Sequence, residues 1–157
     1  MKTMKRILVA LLIVGMMLTA VACGAEQTVT LQADLSESGM SMTDTMVLNA
    51  KGDTVQELKE IMVLDISTYD EETKDYLISL LNESYVVPAH AINGVTCTDS
   101  TTDSSYTIEL TVDCTNSSAI KEAAAAGILD VSDTSAGRIS LKATQSGLEA
   151  NGYTVVE

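Results

Sequence analysis

The alternation of apolar and polar side chains over residues 106–115 constrains the fold of this chain more than any other feature. Every second residue is apolar or a cysteine, and these side chains share one side of an extended backbone: Tyr106, Ile108, Leu110, Val112 and Cys114. Threonines and acidic residues occupy the other side. A period of two is typical of a strand with one face in a core and the other in water. The segment therefore predicts an antiparallel sheet that is covered on one face only.

Further strands are predicted on both sides of this segment. Residues 28–35, 40–50 and 55–64 alternate in the same way, and residues rich in glycine and polar side chains separate them. Three successive strands with short connections predict an antiparallel meander. Residues 95–98 form a second hairpin with the 106–115 strand, and residues 153–156 add a short last strand.

Three segments have the apolar spacing of helices. The first begins after Ser67 or Thr68, either of which can cap it, and continues to Tyr85. Pro88, three residues later, is expected to end it. The second covers residues 117–126, and the third covers residues 141–150. Together these elements predict an α+β fold, with an antiparallel sheet of about five or six strands and two or three helices packed largely on one face.

The first 22 residues have the pattern of an export signal. A basic start is followed by the uncharged, mostly apolar residues 7–18. Twelve helical residues span about 18 Å, which is short of the hydrocarbon core of about 30 Å. Small residues then precede Cys23, as in a bacterial lipobox, although Ala20-Val21-Ala22 also fits an ordinary signal peptidase site. We expect residues 1–22 to be a lipoprotein signal peptide, Cys23 to be lipidated, and residues 23–157 to form one domain.

The charge of the chain excludes one class of partner. The sequence has 22 acidic and 9 basic residues, a net charge of −13, and three of the basic residues lie in the export signal. Such an acidic domain repels nucleic acid.

The export signal and the lipobox predict the location of the domain. We expect a protein on the extracytoplasmic face of the cell envelope, held at the membrane by lipid on Cys23. Its partner is expected to be an unknown small ligand or envelope protein.

Turn and capping motifs follow one another along the chain in a characteristic order. They are Lys51-Gly52-Asp53, the helix ending at Tyr85, Ile92-Asn93-Gly94-Val95, Thr111-Val112-Asp113, Ile139-Ser140-Leu141-Lys142, and Leu148 to Gly152-Tyr153. This order resembles the YehR-like family of small bacterial lipoproteins, and the resemblance covers nearly the whole chain after the lipobox. The matching motifs belong to turns and caps. The resemblance therefore implies a fold and a membrane-anchored location, and it transfers no catalytic residue.

Asp44 is the most unusual polar residue, because it lies among methionines on the apolar face of its strand. Its partner depends on the register of the hairpin. A two-residue turn centred on Lys51-Gly52 sets Asp44 opposite Lys59 and gives an ion pair. A three-residue loop sets it opposite Glu60, and two carboxylates on one face would raise a pKa or attract a cation. Two-residue loops are commoner, so we expect the ion pair and retain the Asp44–Glu60 acid pair as the alternative.

No set of residues in the sequence converges on a catalytic site. His90 stands alone, and the spacings typical of metal sites or nucleophile–base pairs are absent from the sequence. We therefore expect no catalytic residue, metal or cofactor, and a non-enzymatic module that binds a ligand or partner or has an accessory role in the envelope. The alternative is a hydrolase or metal-dependent enzyme that uses a carboxylate cluster such as Asp44 and Glu60.

The two cysteines that follow Cys23, Cys97 and Cys114, are expected to be reduced thiols. Pairing of the apolar faces in the second hairpin sets Cys97 opposite Tyr106 or Ile108. Cys114 then lies about 20–27 Å further along its strand, whereas a disulfide requires Cα atoms within about 7 Å.

Overall fold

The computed structural model describes residues 24–36, 40–129 and 137–156. Within them, six strands form one antiparallel sheet in the order β4-β5-β3-β2-β1-β6. The strands are β1 (Glu26–Asp34), β2 (Ser41–Lys51), β3 (Thr54–Asp65), β4 (Val95–Thr101), β5 (Ser105–Asp113) and β6 (Thr154–Val156). The predicted meander is β1-β2-β3, and β5 pairs with the free edge of β3.

Three main helices accompany the sheet, so the predicted α+β fold is confirmed. They are α1 (Glu71–Leu81), α3 (Ser117–Ala125) and α4 (Leu141–Ala150). A π-helical turn (Asn82–Val86) extends α1 into a single further turn, α2 (Val87–His90). As predicted, Ser140 caps α4, where its Oγ accepts a hydrogen bond of 3.2 Å from the backbone N–H of Ala143.

One face of the sheet carries the core. Along β5, and along β3 from Leu58 onward, every second residue is buried, and the residues between them are half-buried or exposed. Residues of the helices complete this core, among them Ile120, Ala123, Leu141 and Leu148. The opposite, open face carries mostly threonines and charged side chains, together with the half-buried Val47, Ile61 and Val63.

The first helix differs from the prediction at both ends. Asp70, rather than Ser67 or Thr68, caps it and accepts a hydrogen bond of 2.8 Å from the N–H of Thr73. The helical path continues through Pro88, which lies in the first turn of α2. The expectation that Pro88 ends the helix is wrong because the preceding turn widens. The N–H of Val87 bonds to the carbonyl of Asn82 five residues back, and a π turn accommodates a ring that would clash in a regular α-helix.

The β2–β3 hairpin has neither of the two predicted registers. Its two-residue loop is Gly52-Asp53, where the positive φ of Gly52 suits a tight hairpin turn. The register then shifts by one residue beyond the pair Ala50–Val55. Such a bulge places one extra residue on β3 and changes every later pairing.

This register separates Asp44 from Lys59. Asp44 lies opposite Met62, and Lys59 projects from the open face, where its Nζ lies 2.6 Å from the carboxylate of Glu109. The expected Asp44–Lys59 ion pair is therefore wrong. The extra residue in β3 is the physical reason, because a shift of one residue reverses the face on which a side chain lies.

Several predicted segments lie outside the described residues. These are the export signal with Cys23, most of the turn at 36–39, and most of the loop at 130–137.

The cysteines of the second hairpin are both buried and free. Cys97 lies opposite Leu110, and not opposite Tyr106 or Ile108 as predicted. Cys114 follows Leu110 by four residues, about 13 Å at the rise of a strand. This separation is shorter than predicted but still exceeds the reach of a disulfide.

Candidate functional site

Asp44 and Glu60 lie on neighbouring strands and on the same, helix-covered face of the sheet. Glu60 lies directly opposite Met46, so Asp44 is its diagonal neighbour across β2 and β3. Diagonal neighbours have Cα atoms about 7 Å apart. Both side chains are removed from water, with 2 % of Asp44 and 8 % of Glu60 exposed. The structure thus brings together the two carboxyls of the alternative prediction, although they are not directly opposite each other.

Asp44 has one strong partner, which the sequence analysis did not identify as a site residue. The hydroxyl of Tyr153 donates a hydrogen bond to Oδ2 of Asp44 across 109 residues of sequence. The backbone N–H of Tyr153 bonds to the carbonyl of Leu148 at 3.1 Å, which fixes the tyrosine just after α4. Burial raises the pKa of the Asp44 carboxyl, and the hydrogen bond from Tyr153 acts in the opposite direction.

Glu60 is a buried carboxyl with an unsatisfied oxygen. Its Oε2 has no hydrogen-bond partner, and neither has Oδ1 of Asp44. Burial, and to a smaller extent the negative charge of Asp44, raises the pKa of Glu60 to about 8. Because that value lies above neutral pH, the carboxyl of Glu60 is mostly protonated in the cytoplasmic and extracellular pH range. A buried carboxyl of this kind is uncommon outside functional sites.

A cavity of about 350 Å³ lies beside Glu60, and we name it the acid pocket. It is lined by residues of β2, β3, the π turn and α4, and by the segments that follow β1, α3 and α4. Its apolar lining residues are Leu35, Met46, Ile128 and Leu148, and its polar side chains are Glu60, Tyr85, Asn151 and Tyr153. Glu60 therefore faces the cavity, whereas Asp44 lies behind the wall and contacts Tyr153.

Two tyrosines complete the polar part of the acid pocket. Burial raises the pKa of Tyr85, and the negative charges of Glu60 and Asp44 raise it further. Burial and the hydrogen bond to Asp44 raise the pKa of Tyr153. Both phenols therefore stay neutral near pH 7 and can donate hydrogen bonds. In the sequence, Tyr85 was predicted only as the end of the first helix and Tyr153 only as the start of the last strand. The only available signal was that a buried tyrosine hydroxyl usually needs a partner.

The remaining sequence candidates do not join this site. His90 ends α2, and its Nε2 lies 3.0 Å from the backbone carbonyl of Cys97. Cys23 lies outside the described residues. Across the described part of the chain, no group of three or more histidine, cysteine, aspartate or glutamate residues is arranged to hold a metal ion. None of the helices in that part is both long and apolar enough to span a bilayer.

Comparison with known proteins gives the fold. No protein-family model and no curated protein matches the chain. The NMR structure of the E. coli YehR protein is similar with a TM-score of 0.64 at 21 % identity, over 85 % of this chain and 92 % of that one. An NMR structure of a protein from Streptococcus pneumoniae TIGR4 is similar with a TM-score of 0.55 at 15 % identity, over 84 % and 86 % of the two chains. The likeness shows that the chain has a YehR-like fold. Because the identities are low, it shows the fold alone.

Proposed function

We propose that this protein is a lipid-anchored lipoprotein of the cell envelope whose extracytoplasmic domain binds a small ligand in the acid pocket and catalyses no reaction. One observation carries the binding function. Glu60 is 8 % exposed, lines a cavity, and has an oxygen without a hydrogen-bond partner. Natural proteins rarely leave a buried polar atom unpaired, so the position suits a group that a ligand supplies.

The proposed anchor rests on the sequence before the domain. A basic start, a short apolar segment and small residues before Cys23 are together typical of a lipoprotein signal. β1 begins at Glu26, only three residues after Cys23. A lipid on Cys23 would therefore hold the sheet close to the membrane surface, where its negative charge keeps it from lying on anionic headgroups.

The geometry of the acid pocket favours binding over catalysis. General acid–base chemistry on a substrate needs both an acid and a base within hydrogen-bond reach of the reacting atoms. Glu60 lines the cavity, but Asp44 lies behind it and is engaged by Tyr153. A ligand in the cavity would therefore meet one carboxyl directly and would feel the second only through its charge.

The anchor is tested with Cys23→Ser in the full chain. Wild type should partition into the detergent phase and incorporate a palmitate analogue, whereas the variant should do neither. Cys97→Ser is the matched control and should keep the label, because Cys97 is buried within the domain. Equal partitioning of wild type and Cys23→Ser into the aqueous phase would contradict the anchor.

Binding is tested with an NMR screen of small fragments against the full chain. Ligands of the acid pocket should shift the amide signals of Gly127, Leu148 and Asn151, which belong to its wall. Amide signals of β4, at the far edge of the sheet, serve as the internal control. Fragments that shift only surface residues, or a screen without any binder, would refute a ligand site at this place.

A further inference from the structure

We propose that the acid pocket selects an organic ammonium ion, with the charged group against Glu60 and the hydrocarbon part against the apolar wall. The inference rests on the proposed ligand-binding function and names the chemical class of the ligand.

Neither Asp44 nor Glu60 forms an ion pair with a described residue. Within the described ranges, the ion pairs that form are Lys59–Glu109 on the open face and Lys74–Glu71 on α1. Lys142 lies near Asp53 at the start of α4. The described residues thus place no cation against Asp44, or against Glu60 when it ionises, and a cation in the cavity would compensate this negative charge.

Glu60 lines the cavity, and its Oε2 is buried at the wall without a hydrogen-bond partner. When Glu60 is ionised, its carboxylate can accept a hydrogen bond from an N–H donor of a ligand at this wall. An ammonium group offers both the donor and the charge, and such charge-assisted hydrogen bonds are stronger than neutral ones.

The wall of the acid pocket combines apolar and aromatic side chains. Ile128 and Leu148 are almost fully buried apolar side chains at the cavity, and the rings of Tyr85 and Tyr153 are beside them. Aromatic rings attract cations placed over their faces. A volume of about 350 Å³ is at the lower end of the range of small-molecule sites, about 300–1,000 Å³. The cavity therefore suits a small amine with an apolar body.

A metal ion fits this site less well. Calcium takes six to eight oxygen ligands, and magnesium requires about six in an octahedron. The described residues bring one carboxyl to the cavity wall, and no cluster of three possible metal-ligating side chains is found among them. The apolar walls would also leave a metal ion without most of its ligands. An anion is disfavoured by the negative charge of Asp44, and by that of Glu60 when it is ionised.

Cation binding should be coupled to release of a proton. Because the pKa of Glu60 is raised to about 8, a cation that needs the ionised form must displace the proton at lower pH. The titratable groups that face Glu60 are Asp44 from β2, Tyr85 from the π turn, Tyr153 after α4 and Cys97 from β4. The phenols and the thiol stay neutral at pH 6–8, so a proton released on cation binding in this range comes from a carboxyl.

The test compares three probes of nearly equal shape by NMR titration of the full chain: 2-phenylethylammonium, 2-phenylethanol and 3-phenylpropionate. At pH 8 the ammonium ion should bind at least about tenfold more tightly than the alcohol, and the carboxylate should bind least well. Between pH 8 and pH 6 its affinity should fall at least about tenfold and at most about fiftyfold, because the ionised fraction of Glu60 falls from about one half to about one hundredth.

Two variants of one strand provide the control. Glu60→Gln keeps the size of the side chain and should remove the preference for the ammonium ion over the alcohol. Glu57→Gln is the same substitution on the open face, where Glu57 bonds to Asn49, and it should leave the preference unchanged.

Three results would overturn the inference. If the alcohol or the carboxylate binds the acid pocket as tightly as the ammonium ion, the ligand class is wrong while the binding function stands. If calcium chloride shifts the same signals and displaces the amine, the site is a metal site. If none of the probes shifts the signals of the pocket, the ammonium class fails, and the fragment screen decides separately on the binding function.

Discussion

Replacing Glu60 with glutamine should make the protein more stable at alkaline pH. The substitution keeps the shape of the side chain and removes its ionisable proton. In the unfolded chain a glutamate titrates near 4.5, whereas burial and the charge of Asp44 raise the pKa of Glu60 to about 8 in the folded protein. The folded state therefore holds this proton more tightly than the unfolded state does. The resulting stabilisation is complete below pH 4.5 and is lost as the pH rises through 8.

The size of the effect follows from the two pKa values. Each pH unit between 4.5 and 8 corresponds to about 1.4 kcal/mol, so the whole interval amounts to about 5 kcal/mol. About 4 kcal/mol of this falls between pH 5 and pH 9, because about 1 kcal/mol is already lost below pH 5, where the unfolded glutamate ionises. A domain of this size has a free energy of unfolding of about 5–15 kcal/mol. The loss should therefore be large enough to measure as a shift of the urea midpoint.

The assay is urea unfolding followed by far-UV circular dichroism at pH 5, 7 and 9. The free energy of unfolding of Glu60→Gln minus that of wild type should rise by about 4 kcal/mol across this range. Exposed aspartates with lowered pKa values, among them Asp53 and Asp70, act in the opposite direction at acid pH. Their contribution is common to both proteins and cancels in the difference.

Glu57→Gln separates the burial of Glu60 from a general relief of negative charge. Glu57 is exposed on the open face of the same strand, so its loss reports what one solvated carboxylate contributes. We expect this variant to change by less than about 1 kcal/mol at any pH. A Glu60→Gln difference that stays within about 1 kcal/mol from pH 5 to pH 9 would refute the account of Glu60 as a buried, mostly protonated acid.

Tyr153→Phe should lower the free energy of unfolding by about 1–3 kcal/mol, because it leaves Asp44 buried without its donor; an unchanged urea midpoint would show that this hydrogen bond is unimportant. Gly94→Ala should lose at least about 2 kcal/mol in the same assay, because its Cβ would lie 2.9 Å from a side-chain atom. Gly152→Ala has the same φ of 93° but open space around it, and should lose only about 1 kcal/mol; equal losses would contradict a steric cause. Burial raises the pKa of Cys114 to about 12, so iodoacetamide at pH 8 should modify this thiol only after unfolding, which peptide mass spectrometry would detect.

The elements of this fold were predictable because their signals are local. Alternation with a period of two identified the strands and the face of each that is buried, and β5 shows this most clearly. The start of α4 was predictable because the Ser140 side chain bonds to a backbone N–H three residues later. The position of Asp44 on an apolar face was also predictable from the sequence. The alternation of β2 places it there, regardless of which strand pairs with β2.

Register and helix continuation required the tertiary structure. The bulge beyond Ala50–Val55 decided that Asp44 faces Met62, and nothing in the local composition of β3 indicates an extra residue there. Pro88 is a helix-ending signal on its own, yet packing of Val86 and Ala89 into the core holds the chain in a widened turn that passes through it. In both cases packing against distant residues outweighed a local preference.

The acid pocket itself depends on contacts that no local pattern encodes. The alternation of β3 places Glu60 on the face of Leu58 and Met62, and the register shows that its side chain lies beside Asp44. Tyr153 reaches Asp44 across 109 residues because α4 returns the chain to the edge of the sheet. Periodicity therefore determined which side chains share a face, whereas the pairing of strands and the return of the last helix decided which of them meet. The raised pKa of Glu60 depends on these contacts, since it arises from burial and from the neighbouring charge of Asp44.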